Sequence, residues 1–332
     1  KLALNPLIDK VTVVGLDSSN DPSKVVKMVY DAAANPNVLA VVGPMTSLEA
    51  LAAADTCESV SLPMIAISQR LGLTAGRPHV FRIFLTPKHQ AESVARYAVR
   101  VKGLKRFGIL YPDDPYGQAM YGFFRDELAR LGVGLTAVDS YGQSPTSYVD
   151  AVNRITGGHS VRKASTSFQA PVEFDALYLP DSAPVVTQLL PRIAFNDVTR
   201  VIYLGSPLWL TPDLPRSSGR YLKNSIIPEA FSSLSKRREA LSFQDVFKTQ
   251  TGREPDQFAA YGFDAGVALA KVISAGAGTR NEVTRSLATM GPYQGVTGPF
   301  SFDSDGDYLV EPVMLTVDER GYSLLDEPSQ SR

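Results

Sequence analysis

Short apolar runs alternate with longer amphipathic segments along most of the chain. Residues 11–16 (VTVVGL) have the length and β-branched content of a buried strand, and Asp21-Pro22 then opens a helix reaching about Ala34. An acidic N-cap followed by Pro suits the unpaired N–H groups of a first helical turn. The rhythm repeats as strand 38–42 (VLAVV), helix 47–59, and strands 63–67 (PMIAI) and 80–83. Helix 90–101, strand 106–110, helix 116–131, strand 136–140 and helix 148–155 follow. Strand 176–179, a helix carrying Val185, Val186, Leu189, Leu190 and Ile193, and strand 201–204 complete the series. Within 116–131, Met120, Phe124, Leu128 and Leu131 fall on one stripe at helical spacing. Short buried strands alternating with helices predict parallel sheets covered on both faces, a doubly wound α/β fold.

The last third differs. Helical segments 238–251 and 257–274 follow each other with no strand between them, and 298–302 and 311–317 flank the turn-rich 303–307 (DSDGD) as a β-hairpin. The stretch 157–172 is polar and aperiodic and reads as a mobile excursion. No repeat period supports a solenoid.

Composition removes several function classes. The chain has 332 residues, the length of two domains. Thirty-three basic against 34 acidic side chains leave a net charge of -1, which gives no electrostatic reason to expect nucleic-acid binding. No uncharged apolar run approaches the roughly 18 residues of a membrane span. Cys57 is the only cysteine, set in an Ala-rich helix with no nearby His, and reads as a buried structural thiol. His79, His89 and His159 show no metal-ligand spacing. GxGxxG after a strand, GxxxxGK[ST], GxSxG and HExxH are all missing. SxxK occurs at Ser160 and Ser233, in polar stretches without a partner motif. Neither an enzyme nor a cofactor or metal is expected.

Chemistry concentrates at the ends of strands, where open α/β sheets bind ligands and helix N-termini offer N–H groups to anions. Met45, Thr46 and Ser47 follow strand 38–42, and Ser68, Gln69 and Arg70 follow strand 63–67. Asp181 and Ser182 follow strand 176–179, and Ser206 follows strand 201–204, with the lone Trp209 three residues on. Each polar residue reads as a helix cap or as a ligand contact, and Trp209 as a stacking wall or a packing residue. The segment 111–117 (YPDDPYG) ends a strand, makes an acidic turn and starts a long helix at Tyr116. Its paired carboxylates read as turn and cap rather than as a calcium site, which needs six to eight oxygens. DSDGD reads as a hairpin turn, because the position eleven after Asp303 is Met314 and not Glu.

The ordered set GPMTSLEALAAADTCESVSLPMIAIS, HVFRIFLTP, ILYPDDPYGQAM, FDALYLPDSA, YLGSPLW, AAYGFDAG and GVTGPFSFDSDGD resembles the type I periplasmic solute-binding proteins, closest to leucine/isoleucine/valine-binding receptors. LYLPDSA and LGSPLW look like the branch containing penicillin-binding-protein activators. The resemblance implies two doubly wound Rossmann-like lobes joined by three crossings, near residues 85–87, 226–230 and 299–301. One lobe would take 1–85 plus 229–300, the other 86–228 plus 301–327, with a ligand cleft between them. It also implies a periplasmic location, a small-molecule ligand and no catalysis. Met45, Thr46 and Ser47 match the loop meeting an amino-acid carboxylate, and Ser68, Gln69 and Arg70 the second contact loop. Tyr116, Asp181, Ser182 and Ser206 match positions of the other lobe. Relatives carry a Glu for the ligand ammonium where Ser206-Pro207 stands here. They also begin with a strand and helix of which only residues 2–6 have a counterpart, so the resemblance implies either some 30 to 40 further residues ahead of Lys1, where any lipid anchor would sit, or a numbering that starts late. The function expected is a receptor delivering a solute to an ABC permease; the alternative is an envelope protein regulating a peptidoglycan synthase.

Overall fold

A computed structural model describes residues 11–157, 172–198 and 200–326. The chain divides into two units: the first runs up to Thr86 and takes in Ala230–Pro312, the second comprises Pro87–Glu229 and the segment from Val313.

In the first unit, β1 (Val41–Val42), β2 (Met64–Ala66) and β3 (Val80–Arg82) form a parallel sheet in that order. Alternate side chains serve opposite layers. Met64, Ala66 and Val80 pack with Val25, Val29, Ala50, Ala53 and Cys57 from helices Pro22–Ala34 and Ser47–Ser59. Ile65, Phe81, Ile83 and Leu85 pack with Tyr261, Ala265, Ala268 and Val272 of helix Gln257–Ser274. Asp21 caps the first helix by accepting from the Ser23 and Lys24 amides at 2.8 and 3.4 Å. A second, antiparallel sheet holds β9 (Tyr293–Gln294), β10 (Pro299–Phe302) and β11 (Tyr308–Val310). It follows helix Arg280–Ala288, which opens on a Thr279–Glu282 capping box that sequence periodicity did not bring out.

In the second unit, β5 (Leu135–Tyr141), β4 (Phe107–Pro112), β6 (Ala176–Tyr178) and β7 (Ile202–Leu204) form a parallel sheet in that spatial order. β8 (Ile227–Glu229), β12 (Val313–Asp318) and β13 (Gly321–Asp326) form a second, antiparallel sheet in that order, and an isolated parallel bridge between Leu204 and Ile226 links its start to the end of β7. Phe107, Ile109, Ala176 and Tyr178 face Met120, Phe124 and Leu128 of helix Pro115–Arg130. On the other face Leu110, Leu177 and Leu179 meet Val186, Leu189, Leu190 and Ile193 of helix Ala183–Phe195.

Three expectations need correction. Residues 11–16 form no strand, and Val13, Val14 and Leu16 are exposed; no strand among the described residues pairs with them, so their β-branched content has no ladder to join. The third crossing lies at Pro312–Val313 rather than at 299–301, because β10 pairs back onto β9 and keeps the hairpin in the first unit. The strand expected at 311–317 is therefore not the hairpin's second arm: β11 fills that role, and β12 pairs with β8 in the second unit. The expected excursion at 157–172 and the helix end at 2–6 fall almost wholly outside the described residues.

Candidate functional site

Both parallel sheets carry their polar residues where strands run out at the carboxyl end. In the first unit the loop after β1 leads to Met45 and Thr46 and into helix Ser47–Ser59, with Met45 and Thr46 exposed and Ser47 half-buried. The loop after β2 sits beside it, since the Ile67 amide donates to the Pro44 carbonyl at 3.3 Å. Thr46 is the N-cap, yet its hydroxyl makes no backbone cap bond; it donates instead to Glu49 Oε2 at 2.7 Å. Glu49 is buried on the first helical turn. Ser68 is fully buried and its Oγ accepts from the Arg70 amide at 3.3 Å, while Gln69 and Arg70 are exposed. Among the described residues no carboxylate pairs with the Arg70 guanidinium. This corner thus offers the free N–H groups of a helix start, two hydroxyls and a cation, a set suited to an anionic group.

In the second unit the ends of β4, β5, β6 and β7 bring together Tyr116, Tyr141, Asp181 and Ser206. Asp114 caps helix Pro115–Arg130 by accepting from the Gly117 amide at 2.8 Å, which sets Tyr116 on the first turn. The Tyr141 hydroxyl donates to Asp181 Oδ2 at 2.8 Å, and the Ser182 amide donates to Oδ1 at 2.5 Å. Asp181 is therefore not the helix cap that sequence offers as its bland role: the N-cap of Ala183–Phe195 is Ser182, whose side chain makes no cap bond. Burial pushes the Tyr116 phenol up to about 12; the adjacent Ser206 hydroxyl opposes that shift, and the Asp181 and Asp114 carboxylates add to it. Burial, then the Asp181 charge, holds the Tyr141 phenol well above its ordinary value. Beneath them the Tyr178 hydroxyl is fully buried with no hydrogen-bond partner among the described residues. At neutral pH these phenols stay protonated and act as hydrogen-bonding groups beside one carboxylate. That suits a cationic or hydroxylated group, not proton transfer.

Trp209 does not join them. It is fully buried, and a Cβ on Gly205 would lie 2.5 Å from its ring, so both faces are taken up by packing rather than presented as a stacking wall. Glu49 and Tyr141 were missed by sequence reasoning: one reads as a surface helix residue, the other as an ordinary strand end. The acidic pair Asp113 and Asp114 makes a turn and a cap, and the described residues hold no cluster of His, Cys, Asp or Glu suited to a metal. Cys57 is fully buried, its thiol pushed up to about 12 by burial and by Glu58.

The fold has counterparts among known proteins. The chain belongs to the periplasmic binding protein family, whose model matches residues 9–317. It is accordingly a non-catalytic binding protein with the two-lobed α/β fold of type I. A solved protein of Rhodospirillum rubrum, provisionally assigned to branched-chain amino acid ABC transport, is similar at TM-score 0.85 and 18% identity, over 98% of this chain and 92% of that one. An ABC transporter substrate-binding protein of Desulfitobacterium hafniense, solved with Leu, is similar at TM-score 0.75 and 21% identity, over 98% and 93%. An ABC transporter solute-binding protein of Rhodopseudomonas palustris, solved with 3,4-dihydroxybenzoic acid, is similar at TM-score 0.64 and 17% identity, over 98% and 91%. No protein of curated function matches the chain. No helix among the described residues is long and apolar enough to cross a membrane.

Proposed function

We propose that this periplasmic binding protein takes an amino-acid-like solute and delivers it to an ABC importer. Within the first unit Ser47, Ser68 and Arg70 would suit a ligand carboxylate, and within the second Asp181 with Tyr116 and Ser206 would suit an ammonium. The observation that carries the reading is Asp181: a carboxylate at the carboxyl end of a parallel strand, bonded to a neutral phenol and a backbone amide but to no cation among the described residues. The Asp181 corner suits a ligand carrying an ammonium better than an aromatic acid, which brings none.

A charge-assisted hydrogen bond is worth about 1.5–3 kcal/mol. Asp181→Ala should therefore weaken calorimetric binding of L-leucine or L-isoleucine roughly 10- to 150-fold, since about 1.4 kcal/mol is tenfold. Tyr141→Phe removes the same internal hydrogen bond without the charge, and should keep affinity within a few-fold. Equal affinity in wild type and Asp181→Ala would overturn the amine-binding role.

A further inference from the structure

The DSDGD turn, which sequence singles out without a function, lies against the end of β3. The Arg82 amide donates to the Gly306 carbonyl at 2.9 Å. Gly306 has φ of +83°, and a Cβ there would stand 2.6 Å from the Val80 carbonyl, so glycine is what lets the turn dock on the strand. Asp303 shapes the turn by accepting from the Asp305 and Asp307 amides at 2.9 and 2.8 Å. That leaves Asp307 aimed at Arg82, which is 2% exposed. Arg82 Nε donates to Asp307 Oδ1 at 2.8 Å and Nη2 donates to Oδ2 at 2.6 Å, a bidentate pair across 225 residues of chain. The remaining guanidinium nitrogen, Nη1, donates to the backbone carbonyl of Arg70. The Thr74 hydroxyl donates to Asp307 Oδ1 at 3.1 Å. Residues 67–77 have no helix or strand of their own, so their carbonyls depend on such partners. Further along, Arg77 Nη1 donates to the Gly72 and Leu73 carbonyls at 3.3 and 3.1 Å.

A buried ion pair is weak evidence for stability, because desolvation offsets much of its attraction. What distinguishes this one is its spare donor, fixed by the carboxylate fork and pointed at the backbone of the loop that carries Ser68 and Arg70. We propose that Arg82 and Asp307 are positioning residues: together they hold the 68–77 loop in its binding conformation, with the DSDGD turn as the brace. The inference rests on the reading of Ser68 and Arg70 as ligand contacts, and deepens it. A loop ordered before the ligand arrives does not charge its ordering entropy to binding.

The test pairs hydrogen–deuterium exchange with calorimetry on Arg82→Lys, Asp307→Asn and the milder Thr74→Val. Lysine offers one point charge and cannot hold both carboxylate oxygens and the Arg70 carbonyl. Exchange of the Arg70 and Arg77 amides should rise about tenfold or more in the first two variants, and less in Thr74→Val, with helix Gln257–Ser274 unchanged; L-leucine affinity should fall about tenfold. Unchanged exchange in the loop, or an equal rise throughout the first unit, would overturn the positioning role. Ser68→Ala and Arg70→Ala test the underlying site separately. If they bind L-leucine as wild type does while loop exchange still responds to Arg82→Lys, the brace stands and the assignment of the loop to the ligand falls.

Discussion

Asp264→Leu should cost the protein about 5 kcal/mol of stability at pH 4, the largest effect expected of any single substitution outside the candidate site. Asp264 is fully buried on helix Gln257–Ser274. Its carboxylate accepts from the Val296 amide at 2.7 Å, the Thr297 amide at 3.1 Å, the Thr297 hydroxyl at 2.6 Å and the Tyr308 hydroxyl at 3.3 Å. Leucine would strip the buried Val296 and Thr297 amides of their acceptor and leave the Thr297 and Tyr308 hydroxyls only each other. The pH dependence carries a sign that separates this account from simple repacking. Burial raises the carboxyl from 3.8 to about 6, against hydrogen bonds that lower it. The folded protein thus holds this proton more tightly than the unfolded chain does. The stabilisation that comes with it is complete below about pH 4 and is lost as pH rises through about 6, roughly 3 kcal/mol in all. Leucine has no such dependence. Urea unfolding at pH 4, 5, 6 and 7 should show the gap between wild type and variant narrowing as pH rises; a gap that widens would contradict the assignment.

Gly117→Ala is the second large effect. A Cβ at 117 would stand 1.9 Å from the Pro112 carbonyl oxygen and 2.9 Å from its carbon, both backbone atoms with no rotamer to yield. The first turn of Pro115–Arg130 would have to lift from the end of β4, at a cost of about 3 kcal/mol or more. Tyr116 would move with it, so ligand affinity should fall together with the melting temperature. The same helix supplies the control. Nothing lies within 4 Å of a Cβ at Gly122, so Gly122→Ala should be neutral or stabilising by up to about 1 kcal/mol. Similar melting temperatures for the two variants would refute the contact.

Much of the fold was legible because its signals are local. Helices Ser47–Ser59, Arg238–Thr251 and Gln257–Ser274 have the ends their sequence patterns predict, and Asp21 and Asp114 sit as N-caps ahead of Pro22 and Pro115. Signals that depend on distant partners were not. An apolar run such as 11–16 looks like a strand whether or not a neighbour pairs with it. The strands around DSDGD could be recognised, but not which partner each would take, and that decides where the chain crosses. At the site, polar strand ends point to candidate residues, since type and position relative to a helix start are local. Which of them also pack or bond within the chain is a tertiary matter. Trp209 disappears into the core under Gly205, Thr46 turns to Glu49, and Asp181 holds Tyr141 from 40 residues away. Arg82 reads in sequence as a charge within a strand, and its bond to the Arg70 carbonyl has no sequence signature.

The central claim is that the polar residues at strand ends, Arg70 in the first unit and Asp181 in the second, contribute to binding an amino-acid-like solute. Calorimetric titration of the common amino acids and 3,4-dihydroxybenzoate into wild type and into the double variant Arg70→Ala/Asp181→Ala tests it most directly. At least one amino acid should bind wild type saturably at one per chain, and the double variant should bind it about a hundredfold or more weaker while melting within a few degrees of wild type. An amino acid bound equally well by both proteins would contradict the account.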